Sequence, residues 1–110
     1  MPVMDKINSA IEHTSYRGKD LLEACGAPRK ASLELAQKLI DFKSSVEKFS
    51  NQGPVKEADV ENFAVEKIAQ EVERYAKFIF LDKDQRWYFI NELLCYFHDQ
   101  LSIAGMNIKQ

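Results

Sequence analysis

A chain of 110 residues with 45% apolar and 29% charged residues is long enough to bury one core and too apolar to be a disordered tail. Its net charge of -2 excludes a strong overall field drawing it to nucleic acid or anionic lipid. Its longest apolar runs, FIFL at 78–81 and WYFI at 87–90, fall far short of a membrane span.

In chain order, apolar and small residues recur at steps of three and four. They are Ile7, Ile11, Thr14, Gly18, Leu21 and Cys25, then Leu35, Leu39, Phe42, Val46 and Phe49. Val65, Ile68, Val72, Tyr75 and Ile79 follow, and last Trp87, Ile90, Leu94, Phe97, Leu101, Ala104 and Ile108. This period puts one apolar residue per turn on one helical face, and strand-like alternation is absent. Three turn signals separate the segments: CGAPRK at 25–30, NQGPVK at 51–56 and LDKDQ at 81–85. Pro28 and Pro54 suit the first turn of a helix, where a missing N–H leaves no gap, and Asp82 or Asp84 suits a helix cap.

The pattern predicts four helices near 5–25, 29–50, 55–81 and 84–105. Short connections make them an all-α, antiparallel up-and-down four-helix bundle forming one domain over 1–110. Glu57, Asp59 and Glu61 complement the positive end of the third helix. Glu34–Lys38 and Glu73–Lys77 are spaced as outward i,i+4 ion pairs. Gly18, on the seam of the first helix, predicts a close helix–helix approach, since glycine there otherwise only costs helix propensity.

Five aromatic residues crowd into WYFINELLCYFHDQL, 87–101. On a helical projection Phe89, Leu93, Tyr96 and Ile103 form a second stripe beside the main seam, widening the apolar arc to about 200° where a surface helix needs about 100°. Two outcomes compete: a fourth helix touching several neighbours, with its aromatics simply core, or a stripe that meets another chain. The interface reading assigns Phe89, Leu93, Tyr96 and Ile103 to protein contact, with a homodimer about a two-fold axis or an unidentified protein as partner.

Catalytic motifs are absent: no phosphate loop, nucleophile elbow or Cys-x-x-Cys occurs. Cys95 and His98 share a helical side, and His13 lies at a similar height in an antiparallel bundle, so a mixed metal site from His13, Cys95 and His98 is drawable. No second group orients either imidazole, and the plain alternative is histidines at a seam edge. A di-iron carboxylate site needs Glu-x-x-His, which is missing. Arg17, Lys19, Arg29, Lys30, Lys77, Lys83 and Arg86 gather at one expected end of the bundle with Asp20, Glu23, Glu34, Glu73, Asp82 and Asp84. Such a mixed end does not read phosphates.

The opening MPVMDKINSA has no cationic region followed by an apolar run, so no secretory signal is expected there, and free thiols in a cytoplasmic setting are. The expectation from these residues is a non-catalytic helical protein of adaptor, inhibitor, immunity or assembly-factor type. It needs no cofactor or metal and engages neither nucleic acid nor membrane. The alternative is an enzyme or metalloprotein with its site between helices, or a binder of an apolar ligand.

Overall fold

A computed structural model describes residues 3–109, and the side chains of residues 4–104. Four helices run in chain order: α1 (Val3–Ala24), α2 (Arg29–Ser50), α3 (Glu57–Ile79) and α4 (Lys83–Lys109). Each helix packs against its neighbours in sequence, and α4 closes the ring on α1. Of the two diagonals, the backbones of α1 and α3 approach each other more closely than those of α2 and α4 do among the described residues. The all-α bundle expected from the apolar period is therefore the fold, and each helix boundary lies within four residues of its expected place. No helix among the described residues is long and apolar enough to cross a membrane.

The connections follow from local chemistry. Gly26 has φ 81°, a left-handed conformation that a Cβ disfavours. There it lets the Gly26 N–H reach Glu23 O at 3.0 Å and the Ala27 N–H reach Leu22 O at 2.9 Å, a Schellman closure of α1. Pro28 precedes α2 directly, with its carbonyl accepting from the N–H groups of Ala31 and Ser32. Pro54 instead lies in the connection, before the N-cap Lys56, so it does not occupy a first helical turn. Near that connection the Phe49 and Phe63 rings stack with centroids 4.4 Å apart, clipping the end of α2 to the start of α3.

The core runs along the bundle axis through Ile7, Ile11, Leu35, Leu39, Ile68, Val72, Phe89, Leu93 and Phe97. Gly18 is buried among them. A Cβ built on it would stand 3.1 Å from Leu93 Cδ2 and 3.3 Å from Leu35 Cδ2. The close approach predicted for this glycine is therefore real. It is the point where side chains of α2 and α4 both descend onto α1.

The buried face of α4 differs from its expected seam. Phe89, Leu93, Phe97 and Leu101 are the buried residues, Ile90 and Leu94 are only half-buried, and Trp87 is 57% exposed. Steps of four advance about 40° around a helix, so this row sweeps about 120° from Phe89 to Leu101. The α4 helix thus lies obliquely on its neighbours and turns a different side inward at each level. A straight seam drawn from Trp87 through Leu101 misses that obliquity. Ile108, assigned to the same seam, lies outside the residues whose side chains are described.

Charge braces the other end of the molecule. Lys6 is buried yet ionic, its ammonium donating to Glu57 at 3.3 Å and also to Glu61. The glutamates expected only to suit the start of α3 therefore also tie the α1–α3 diagonal. The expected Glu34–Lys38 and Glu73–Lys77 pairs do not close among the described residues; Lys19–Glu23 and Glu71–Arg74 do. Burial opposes the Lys6 charge, but hydrogen bonds and attraction from Glu61 and Glu57 outweigh it and raise the pKa above 10.5.

Two outcomes are expected. Gly18→Val forces a branched side chain against buried Leu93 and Leu35 and lowers unfolding free energy by about 1–3 kcal/mol. Gly18→Ala, with a propensity gain of about 1 kcal/mol to offset the contact, stays close to wild type. Urea unfolding of the three proteins gives the order, and an equal loss for both variants refutes the close approach. For Lys6, the raised pKa means its stabilisation is fully present below the ordinary lysine value of 10.5 and is lost as pH rises through the higher folded value. Lys6→Met is expected to cost about 1 kcal/mol at neutral pH, because its partners can rehydrate. The gap from wild type shrinks above pH 10.5; a pH-independent gap between the two urea midpoints contradicts the ionic brace.

Candidate functional site

The α3–α4 connection is built from three residues whose side chains take opposite directions. Phe80, directly after α3, is extended at φ -105°, ψ 117°. Its ring points inward, 4% exposed, with its centroid 5.5 Å from that of Phe89. Extended backbone alternates its side chains, so Leu81 points out and is 92% exposed. Asp82 then caps α4: its Oδ1 accepts from the N–H of Asp84 at 2.7 Å and of Gln85 at 3.1 Å, as the residue types suggested.

Arg86 holds this turn from behind. Its Nε donates to Phe80 O at 2.8 Å and its Nη2 to Leu81 O at 3.1 Å. Carbonyls just past a helix end otherwise lack partners, and a forked guanidinium can satisfy two at once. The most exposed large apolar side chain among the described residues thus stands on a turn tied at both ends. Around it Phe78 is 82%, Trp87 57% and Tyr88 55% exposed. All lie within about two helical turns of the connection.

Beside this knob a groove of about 450 Å³ opens between α2 and α3, lined by Glu34, Arg74, Tyr75, Lys77 and Phe78. Tyr75 forms its floor, largely buried. The Arg74 guanidinium lies 5.1 Å from the Tyr75 ring centroid and is anchored by Glu71 at 2.5 and 3.3 Å. Burial pushes the Tyr75 phenol above its ordinary value; the Glu34 and Glu71 carboxylates add to this and Arg74 opposes it. The groove therefore has an aromatic floor and wall, with charges of both signs at its rim.

The residues expected at a protein interface divide. Phe89 and Leu93 are fully buried in the chain's own core, so neither is a surface for a partner while the bundle is intact. Tyr96 is half-buried with Arg17 over its ring at 5.8 Å. Only Ile103, 51% exposed, is open. Two of the four turn inward because the inward face of α4 is rotated onto the stripe, which leaves Trp87 outside instead. The drawable metal site also fails to assemble: His13, Cys95 and His98 are all exposed, and no three metal-ligating side chains gather among the described residues.

Sequence reading missed Phe78 and Leu81. Their signal was the FIFL run, where Phe78 falls off the seam through Tyr75 and Ile79 and Leu81 falls in a turn. Neither position lies on the apolar seam, so neither is apolar to serve the core. Comparison with protein-family models, curated proteins and solved structures finds no match, so the functional reading rests on this geometry.

Arg86→Ala removes the only side chain bridging both turn carbonyls among the described residues. The expected loss is about 1–2 kcal/mol in unfolding free energy, with faster limited proteolysis at 80–83. Arg86→Lys should recover little, since an ammonium lacks the fork. Unchanged cleavage at that turn in both variants shows that Arg86 does not hold it.

Proposed function

We propose that this chain is a non-catalytic binding protein that acts through protein–protein contact at the α3–α4 end of its bundle. The observation that carries the reading is a pair of large apolar side chains, Phe78 in the last turn of α3 and Leu81 on the turn fixed by Arg86 and Asp82, 82% and 92% exposed. Ordinary surface tolerance accounts for a single exposed leucine. It accounts less well for phenylalanine, leucine, tryptophan and tyrosine clustered at one end, a composition typical of interface centres.

Magnitudes favour the same reading. Burying one such side chain is worth about 1.5–3 kcal/mol, and association costs at least about 4 kcal/mol in lost freedom. One side chain cannot drive binding, but several together on a preorganised turn can, because little is lost in ordering them. The mixed charge of this end supports a protein partner over a nucleic acid or an anionic membrane. Both cysteines are free and exposed, which suits the reducing cytoplasm included in this proposal.

Site-specific photocrosslinking in cells that make the protein tests it. A crosslinking residue in place of Leu81 or Phe78 is expected to form discrete protein adducts, whereas one in place of exposed Asp41 on α2 forms none. Equal labelling from all three positions, or none from the first two, removes the basis for an interface there.

A further inference from the structure

We propose that the partner at this end is a second copy of the same chain, with the Leu81 side chain of each copy entering the α2–α3 groove of the other. The inference rests on the protein-binding reading above and adds the identity of the occupant.

Three observations carry it. First, knob and groove share one end of one molecule: Phe78 lines the groove and stands three residues before Leu81. Where complementary features lie side by side, a two-fold axis between them seats both knobs at once and closes the assembly at two copies. Second, the charges match in that arrangement. The knob residue is followed by Asp82 and Asp84, and the α3 wall of the groove carries Arg74 and Lys77. Lys77 makes no ion pair among the described residues, and Asp84 makes none either. Glu34 on the α2 wall offers the opposite charge to Lys83 of the entering turn. Third, the knob cannot fill its own groove. The hydrogen bonds from Arg86 to Phe80 O and Leu81 O fix the turn with Leu81 outward. The groove, at about 450 Å³, is open and roomy enough to admit a leucine side chain from another molecule.

Reciprocity gives the proposal a distinctive test by sedimentation equilibrium on purified protein. Wild type is expected to rise from 12.7 kDa toward twice that mass with concentration, over about 10 μM to 1 mM, as a few buried side chains set against the cost of association imply. Leu81→Lys spoils the knob and Lys77→Glu spoils the groove; each alone should weaken association at least about tenfold. Both positions are exposed, so circular dichroism and melting temperature should match wild type.

An equimolar mixture of the two variants should associate again. The unaltered leucine of one enters the unaltered groove of the other, and in the second contact the new lysine meets the new glutamate. A wild type that stays at 12.7 kDa throughout overturns the inference, as does a dimer indifferent to both substitutions or a mixture no better than its components. If purified protein is monomeric while residue-81 photoadducts contain a different protein, the self-docking inference fails and the binding role stands. If those adducts are missing as well, both fail.

Discussion

The approach of α2 and α4 onto Gly18 sets how the bundle is assembled. Leu35 and Leu93 come closer to the place a Cβ would occupy than ordinary packing brings such atoms, so both helices settle deeper on α1 than a branched side chain would permit. Helix α1 is therefore the platform of the fold, touching α2, α4 and, across the diagonal, α3. Seating Leu93 there orients α4: Phe89, Phe97 and Leu101 turn inward with it, and Trp87 is left on the outside. The exposure of Trp87 beside the candidate surface thus follows from a contact on the same helix, where Leu93 seats on Gly18 of α1.

The two ends of the bundle are closed by different physics. At the end where α1 and α3 begin, a buried ammonium is shared by two carboxylates. Such a pairing stabilises modestly and adds specificity through the cost of leaving its charges unmatched. At the other end the closing elements are backbone hydrogen bonds, the Asp82 cap and the Arg86 fork, while apolar side chains face outward. With the carbonyls of Phe80 and Leu81 and the first N–H groups of α4 already partnered, the backbone of the turn is held and its side chains are what it offers outward. That arrangement keeps Leu81 in place without burying it, which is the condition under which a small apolar surface can bind without a large ordering cost.

The aromatic content of α4 illustrates how burial and interaction separate. Phe89 and Phe97 fill space between helices, and truncating a side chain of that kind typically costs about 3–5 kcal/mol in stability. Trp87 and Tyr88, in the same stretch of chain, are more than half exposed and contribute little to the core. Composition alone does not divide these residues into two sets. The side of the helix each one occupies does, and that depends on the angle at which α4 crosses α1 and α3.

Read by itself, the sequence was enough to determine the helical class, the number of helices, their boundaries within a few residues, an aspartate cap at Asp82 or Asp84 and the close approach at Gly18. Each is a local matter of period, turn chemistry or side-chain absence, and local interactions are written in neighbouring residues. Only the tertiary structure decided which face of α4 turns inward, because its apolar arc is wide enough to permit several rotations and packing against α1 selects one. It also decided that Glu57 and Glu61 meet Lys6 and that Arg86 reaches back to the turn carbonyls. It decided, too, that Phe78 and Leu81 remain in water beside a groove. Those outcomes join residues from elements that meet only when the bundle closes, and no spacing along the chain encodes the geometry of that meeting.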